Sequence, residues 1–237
     1  MNIIAIETAT EACSAALYRD GEIISRYELA PRKHTQLILP MLDSILAEAG
    51  VSKSALDAIA FGRGPGAFTG LRIAVGVAQG LALALDKPVI PVSTLAAMAQ
   101  QVLEVTSISL GEHEIKLVPA IDARMGEVYW GQYINLDGEV CLVNPETISK
   151  PETLSQFNQA QYLRFGTGWK AYHSEFMTYD SHAVSEACSN VFPSAHYIAK
   201  LAASGFNRGD AIDAADAEPA YLRNDVAKKK ADQGKST

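Results

Sequence analysis

The stretch DAIAFGRGPGAFTGLRIAVGVAQGLALAL, residues 57–85, decides the fold of this chain. It opens with a short apolar run at 58–61, which predicts a buried strand. Glycines and a proline are concentrated at 62–70, which is the composition of a turn. An apolar helix is then predicted to continue to Leu85, where Asp86 and Pro88 mark its end. The stretch therefore predicts a strand, a glycine-rich loop and a long helix in succession.

The predicted helix carries almost no polar side chains. Between Leu71 and Leu85 only Arg72 and Gln79 are polar, and their spacing places them on one face. A soluble helix that is apolar nearly all round is buried on nearly all sides. Small residues on this helix would let another backbone approach closely; they are Ala74, Gly76, Ala78 and Gly80. Two compatible interpretations stay open, a central core helix and a helix with one side covered by another chain.

The glycine-rich loop raises the question of phosphate binding. GRGPGA, residues 62–67, satisfies the GxGxxG/A pattern between a strand and a helix. A dinucleotide site also requires an acidic residue at the end of the next strand, and the predicted strand 88–93 has none. A P-loop requires a Gly-Lys pair, which is missing from this loop. The pattern therefore favours a structural strand–loop–helix corner over a nucleotide-binding loop.

The composition is that of an ordinary soluble protein with an acidic balance. The chain has 237 residues, of which 48% are apolar and 20% charged, so it can bury a sizeable core in one or two domains. Its formal net charge of −7 argues against autonomous nucleic-acid binding, which usually requires a basic surface. Any role on a nucleic acid is therefore expected to be indirect, within a complex whose other members hold it.

The cysteines and the N-terminal residues indicate the cytoplasm. Cys13, Cys141 and Cys188 are far apart and form no CxxC pair, so neither a disulfide framework nor a zinc site is expected. The N-terminal MNIIAIETAT is predicted to be a strand and lacks the basic segment of a signal peptide. The longest apolar run, at 71–85, is too short to span a membrane. We therefore expect a cytoplasmic protein with no membrane association.

The order of the predicted elements indicates two lobes. An antiparallel meander is followed by α/β units, and the pattern begins again after a polar join at 106–114. Strands are predicted at 2–8, 13–19, 22–29, 58–61, 88–93, 115–121, 127–135, 139–143 and 162–165, and the main helices at 35–49, 67–85, 94–105 and 195–204. The N-terminal lobe is expected at 1–105 and a smaller second lobe at 106–208, with the helix at 195–204 a candidate to pack back on the first lobe. Residues 209–237 are expected to be a polar, partly disordered tail.

Several motifs in this order resemble those of the TsaB family. The most specific is GRGPGAFTGLRIAVG at 62–76, accompanied by ETAT at 7–10, HTQLILPML at 34–42, PVSTLAAMA at 91–99, AIDARMGEVY at 120–129 and PAYLR at 219–223. The resemblance implies an α/β, actin-like and sugar-kinase-like (ASKHA) two-lobed fold with a truncated second lobe. It also implies a non-catalytic subunit for threonylcarbamoyl modification of the adenosine adjoining the tRNA anticodon. Such a subunit dimerises with and activates TsaD, helps to recruit the ATPase TsaE, pairs with itself when alone, and contacts tRNA only indirectly.

The resemblance also locates a residual nucleotide cleft between the lobes. Actin-like ATPases hold Mg²⁺ and phosphate with a carboxylate at the end of the first strand and a hydroxyl-rich turn. The matching residues at the first hairpin are Glu7, Thr8 and Thr10, and Asp122 and Arg124 occupy the corresponding hairpin of the second lobe. Many relatives have aspartate where this chain has the longer Glu7, which weakens the match to the metal geometry. For the adenosine, the only candidate segment is GTGW at 166–169.

No catalytic or metal constellation is evident in the sequence. The five histidines include no pair at i, i+4 spacing, and His113–Glu114 lacks the second histidine of HExxH. TsaD carries a metal-binding histidine pair on the helix after the meander, whereas this chain has only His34 there, for which a hydrogen bond at the helix entry is the better prediction. No serine or cysteine has an identifiable base. We therefore expect no catalytic residue, no metal and no cofactor, and find no residues to support a peptidase.

The predicted functional surface is an interface formed by two helices. The helices at 35–49 and 67–85 carry more apolar surface than one sheet face requires, and pairing with the same two helices of another chain would give a four-helix contact. The predicted interface residues are Leu37, Ile38, Met41, Leu42, Ile45, Arg72, Ile73, Val77, Gly80 and Leu81. The alternative function is an ATP-binding kinase or ATPase of the actin-like superfamily that acts on a small molecule through the five cleft residues.

Overall fold

The computed structural model describes residues 1–106, 116–157, 161–172 and 190–223. Its first sheet has five strands in the order β3-β2-β1-β4-β5. They are β1 (Asn2–Glu7), β2 (Ala12–Arg19), β3 (Glu22–Leu29), β4 (Ala58–Gly64) and β5 (Val89–Ser93). The first three form the predicted antiparallel meander, and β4 and β5 add to it in parallel. The apolar run at 58–61 is therefore a buried strand, as predicted.

Helices cover both faces of this sheet. α1 (His34–Ala49) and α2 (Phe68–Leu85) pack on one face, against β1 residues such as Ile4 and Ile6. α3 (Thr94–Val105) lies on the opposite face, with Ile3 and Ala5. The alternation along β1 follows from the period of two in a strand, which sends successive side chains to opposite faces.

The second sheet repeats the arrangement of the first on a smaller scale. Its order is β8-β7-β6-β9, with β6 (Lys116–Arg124), β7 (Glu127–Leu136), β8 (Glu139–Ser149) and β9 (Tyr162–Phe165). Strands β6 to β8 form an antiparallel meander, and β9 adds in parallel to β6. Helix α4 (Thr167–Ala171) follows β9 and is only five residues long. The actin-like, sugar-kinase-like two-lobed fold with a truncated second lobe is thereby confirmed.

The next helix that the structure describes returns to the first lobe. α5 (Ala195–Arg208) is capped by Ser194, whose Oγ accepts a hydrogen bond from the backbone N–H of His196. The backbone N–H of Ala195 donates to Ser14 Oγ of β2 at 2.8 Å, and α5 packs along β1 and β2. Together α3 and α5 share one apolar core with second-sheet residues such as Leu117 and Tyr133. The two lobes are therefore joined by a continuous core.

The first part of the predicted tail is built into the fold. Ile212 exchanges two backbone hydrogen bonds of 2.9 Å with Val89 of β5, and the side chains of Ala214 and Ala217 are buried. The backbone N–H of Ala220 then donates to the carbonyl of Arg63 at 2.7 Å. We call residues 212–223 the C-terminal strap. The lysine-rich remainder of the tail, at 224–237, lies outside the described residues.

The strap covers the polar face of α2. Gln79 donates from Nε2 to the carbonyls of Ala214 and Ala217, at 3.1 and 3.2 Å. Arg72 donates from Nε to the hydroxyl of Tyr221 at 3.3 Å. The two polar residues of the helix therefore share one face, as predicted from their spacing, and that face binds the chain's own C-terminal segment.

The rest of α2 is surprisingly open for so apolar a helix. The helix begins at Phe68, so its 18 residues meet the length and composition of a membrane span, which corrects the expectation from the run at 71–85. Only 33% of these residues are buried in this fold. The helix connects the parallel strands β4 and β5 and packs on β4, which is the geometry of a crossover helix in a sheet. Its exposed apolar side is therefore a surface of the folded domain.

Candidate functional site

A cleft of about 1120 Å³ separates the two lobes. Its walls come from the β1–β2 turn, the start of α2, the β6–β7 hairpin, α4 and the end of the strap. Of the five predicted cleft residues, four line it, namely Thr8, Thr10, Asp122 and Arg124. Sequence reasoning did not identify Glu11, Arg32, Tyr221 and Arg223, which line it as well. The PAYLR motif was the available signal for the last two.

The glycine-rich loop packs directly on the β1–β2 turn. A Cβ atom at Gly66 would lie 2.5 Å from the carbonyl oxygen of Ala9, and one at Gly70 would lie 2.0 Å from that of Thr8. The backbone N–H of Ala67 donates to the Ala9 carbonyl at 2.7 Å. Only glycine allows this close approach of two backbones. The structural strand–loop–helix corner is therefore the role that this geometry supports.

Glu7 does not line the cleft. Its side chain is fully buried and points toward β4 and α3. Oε1 accepts a hydrogen bond from the backbone N–H of Ala9 at 2.6 Å, and Oε2 accepts one from Thr94 Oγ1 of α3 at 3.0 Å. Gly62 leaves the space that the carboxylate occupies, because a Cβ there would lie 2.0 Å from Oε2. Burial raises the pKa of Glu7 to about 7. The expectation that Glu7 and Asp122 face one cleft is therefore not met, because only Asp122 lines it.

Asp122 and Arg124 form a compact unit at the β6–β7 hairpin. Asp122 Oδ2 accepts from the Arg124 guanidinium at 2.8 Å, and Oδ1 accepts from the Arg124 backbone N–H at 2.8 Å. Arg124 also reaches across the cleft mouth to Glu11, at 3.3 Å. Asp122 therefore holds Arg124 within the hairpin, and Arg124 in turn contacts Glu11 of the first lobe.

The end of the strap completes the mouth of the cleft. Arg223 donates to the carbonyls of Ala123 and Arg124, both at 3.2 Å, and pairs with Glu127. Tyr221 packs against Phe68 at the start of α2, with ring centroids 5.2 Å apart. The strap therefore connects the hairpin of the second lobe to α2 of the first.

The GTGW segment is part of the second-lobe core. Trp169 has no exposed surface, and its indole N–H donates to the carbonyl of Val118 at 2.9 Å. A Cβ at Gly166 would lie 2.4 Å from the carbonyl oxygen of Ala120. The segment packs on β6 through Gly166 and Trp169, and Thr167 lines the cleft.

Metal-ligating side chains do not cluster in the described part of the chain. Residues 1–106, 116–157, 161–172 and 190–223 contain no group of three or more His, Cys, Asp or Glu side chains that could hold an ion. His34, at the start of α1, has Nε2 at 2.9 Å from the carbonyl oxygen of Thr10. This is the helix-entry hydrogen bond that was predicted for it.

The ten predicted interface residues divide into three groups. Ile38, Leu42 and Ile45 are at most 3% exposed and belong to the chain's own core, so they are unavailable to a partner and their assignment to an interface is wrong. Arg72 is exposed but stacks on the Phe68 ring, 3.7 Å from its centroid, and bonds the strap. The others are half-buried or exposed; they are Leu37, Met41, Ile73, Val77, Gly80 and Leu81.

Small residues on the outward side of α2 leave its backbone accessible. Gly76 and Gly80 are exposed, and a Cβ at either would meet no atom within 4 Å. Leu83 is 71% exposed, and Ala84 is also exposed. We call the outward residues of the two helices the helix-pair face; they are Leu37, Met41, Ile73, Gly76, Val77, Gly80, Leu81, Leu83 and Ala84. Two interior glycines each cost about 1 kcal/mol of helix stability against alanine, and no contact among the residues that the structure describes explains them.

Ile38→Glu is expected to unfold the chain, whereas Leu37→Glu leaves it folded. Ile38 is 1% exposed among core residues, so its carboxylate would be buried without a partner, at a cost of several kcal/mol. Leu37 is half-buried at the surface, where a glutamate can turn to water. Circular dichroism during thermal melting measures the difference. Two equally stable variants would contradict the division of the α1 residues into core and surface.

Comparison with known proteins identifies the family. A family model described as TsaD, tRNA N6-adenosine threonylcarbamoyltransferase, matches residues 22–228. The chain is 42% identical over 234 residues to the tRNA threonylcarbamoyladenosine biosynthesis protein TsaB of Escherichia coli, covering 97% of this chain and 98% of that protein. It is 41% identical to TsaB of Haemophilus influenzae, over 97% of each chain. The solved structure of YeaZ from Pseudomonas aeruginosa superposes with a TM-score of 0.83 at 43% identity, covering 93% of this chain and 99% of that one. On its sequence and its fold, the chain belongs to the TsaB family.

Proposed function

We propose that this chain is a non-catalytic partner subunit of TsaD in the threonylcarbamoyl modification of the adenosine adjoining the anticodon in tRNA. Membership of a family named for tRNA threonylcarbamoyladenosine biosynthesis gives the process. The surface of the chain supports the role of a partner subunit in that process. The subunit dimerises with TsaD through the helix-pair face, holds TsaD in its active arrangement and helps to recruit TsaE.

The single observation that carries this proposal is the open, small-residue surface of α2. Gly76 and Gly80 face empty space next to half-buried Ile73, Val77 and Leu81. A partner helix can approach closely over glycines, and the flanking apolar side chains then lose contact with water, which is favourable at about 25 cal/mol per Å². Apolar side chains with this arrangement are typical of helix–helix interfaces, where they complete a four-helix contact.

The same face suits a second copy of the chain. An apolar patch that fits the equivalent patch of a related protein also fits itself about a two-fold axis. We infer that the chain forms a self-dimer when TsaD is absent, and that TsaD displaces one copy. We infer that the chain works in the cytoplasm, with tRNA held by the complex rather than by this acidic subunit.

The cleft supports the kinase or ATPase alternative less well. A metal–phosphate site would need the Glu7 carboxylate in the cleft, and this group is buried against Gly62 and Thr94. Asp122 and Arg124 neutralise each other at 2.8 Å. The four predicted residues that line the cleft leave open space for a ligand. They supply no unpaired carboxylate of the kind that the actin-like site uses.

Val77→Glu is expected to abolish tRNA threonylcarbamoylation in an assay with purified TsaD and TsaE from the same source. The new carboxylate would be desolvated in the helix pairing without a partner charge, which costs several kcal/mol and removes the complex. Modified tRNA is quantified by mass spectrometry of its nucleosides. Ala47→Glu, which adds the same charge at an exposed site on α1 beside Glu48, is the control and should keep full activity. Full activity of a folded Val77→Glu variant would contradict the proposal.

A further inference from the structure

A buried carboxylate lies where the two lobes meet. The side chain of Glu146, on β8, is only 4% exposed. Its Oε1 accepts a hydrogen bond of 2.6 Å from the Tyr133 hydroxyl and a short one from Ser93 Oγ. Its Oε2 accepts from the Arg63 guanidinium at 3.1 Å. We call these four residues the Glu146 junction.

The junction joins four strands from both sheets. Arg63 belongs to β4 and Ser93 ends β5, so both come from the first sheet, whereas Tyr133 on β7 and Glu146 on β8 come from the second. The bonded pairs that join the two sheets are separated by 40 to 83 positions in the chain. Tyr133 is only 1% exposed and packs in the apolar core that the two lobes share. Glu146 and Tyr133 are therefore shielded from water, whereas Arg63 stays partly exposed at the edge of the junction.

A second buried contact ties the same lobes together nearby. Gln100 of α3 is fully buried, and its Nε2 donates to the carbonyl of Gly138 at 2.9 Å. Its Oε1 accepts from the backbone N–H of Val140 at 3.0 Å. The turn between β7 and β8 is thereby attached to a helix of the first lobe.

The buried junction differs from the bridge at the cleft mouth. Arg124 and Glu11 also connect the lobes, but their side chains are 74% and 42% exposed, and an exposed ion pair contributes little because water and salt screen it. A carboxylate that is almost fully buried cannot exchange its donors for water as the lobes rotate. Any rotation would leave the Glu146 charge unpaired, and interfaces packed in this way have discrete arrangements rather than continuous ones.

We propose that the Glu146 junction locks the two lobes at a fixed angle, so that the chain acts as a rigid frame rather than as a clamp that closes around a ligand. This goes beyond the proposed partnership and does not depend on which protein binds. The backbone carbonyl of Arg63 also accepts from Ala220 of the strap, whose Tyr221 lies against Phe68 of α2. Glu146 is therefore a positioning residue that fixes the second lobe relative to the helix-pair face.

The test is a distance measurement between the lobes in the full-length chain alone. Spin labels are placed at exposed positions by Ser54→Cys in the first lobe and Thr153→Cys in the second, with Cys141 and Cys188 replaced by serine and buried Cys13 retained. Double electron–electron resonance is expected to give one narrow distance distribution that Mg–ATP does not shift. Glu146→Gln, which keeps the shape and removes the charge, is expected to broaden it about twofold.

Glu11→Gln is the matched control, because it makes the same chemical change in the exposed bridge between the lobes. It is expected to leave the distribution unchanged. If Glu146→Gln does not fold, the same distance distribution is measured with Arg63→Met and is expected to broaden. Arg63 is one-third exposed, and its replacement leaves the Glu146 carboxylate without its cation. A broad distribution in the unaltered chain, a shift with Mg–ATP, or equal widths for folded Glu146 and Glu11 variants would overturn the proposal. Because TsaD is absent, failure here leaves the partnership itself untouched.

Discussion

Replacing Gly80 with leucine is expected to leave the isolated chain folded and slightly more stable, while weakening its association with TsaD by about 100-fold. A Cβ at Gly80 meets nothing within 4 Å, so the chain has room for the larger side chain. Leucine also forms helix better than glycine, by up to about 1 kcal/mol. A partner that packs closely over Gly76 and Gly80 would meet the new side chain directly, because a well-packed interface does not accept extra methylenes without strain.

The gain in stability and the loss of affinity distinguish a blocked interface from a damaged fold. A variant that merely damages the fold loses both stability and binding, whereas Gly80→Leu should lose binding alone. Thermal melting gives the first quantity, and titration of TsaD in isothermal calorimetry gives the second. Ala47→Leu adds the same bulk at an exposed site on α1 and should keep the affinity unchanged. If Gly80→Leu binds TsaD with unchanged affinity, the interface does not lie on this side of α2.

Glu7→Gln is expected to stabilise the chain at pH 8 by about 3 kcal/mol and to have little effect at pH 5. Burial raises the pKa of Glu7 to about 7, from an ordinary value of 4.5. The folded state therefore binds this proton more tightly than the unfolded state does. Its stabilising contribution is complete below pH 4.5 and is lost as the pH rises through 7, above which the buried carboxylate is charged.

The amide removes this pH dependence without removing the contacts. A glutamine at position 7 can still accept from the backbone N–H of Ala9 and bond the Thr94 hydroxyl. For a chain of this size the gain at pH 8 corresponds to a rise in melting temperature of roughly 5–10 °C. Urea unfolding at the two pH values measures it, with the exposed Glu22→Gln as the control. Equal effects of Glu7→Gln at pH 5 and pH 8 would show that Glu7 is ionised in the fold throughout.

Local patterns predicted the elements well because the periodicity of apolar residues decides them. The β1–β3 meander, the glycine-rich corner and both long helices were evident from alternation, turn residues and apolar faces. The pattern on α1 could not separate Ile38 from Leu37, since both are apolar neighbours, and only the packing of α1 on the sheet shows which of them is covered. Arg72 and Gln79 predicted a shared face but could not indicate that the strap covers it.

The site was harder to predict because it depends on contacts between distant parts of the chain. Glu7 ends β1 as expected, yet its side chain turns into the core because Gly62, on a neighbouring strand, leaves a space for it. Glu146 gave no local signal, since its partners Arg63 and Ser93 lie on strands of the other sheet. Tyr221 and Arg223 belong to a segment that was expected to be tail, where a polar composition concealed its anchors at Ile212, Ala214 and Ala217.

We propose that the chain works by pairing with TsaD through the helix-pair face. The most direct test is multi-angle light scattering of the chain alone and after mixing with purified TsaD from the same source. We predict a mixed species with one copy of each protein, formed at the expense of any self-dimer and lost with Gly80→Leu. If the chain and a folded TsaD elute separately at micromolar concentrations, the claim is contradicted, and the cleft between the lobes becomes the first place to look for function.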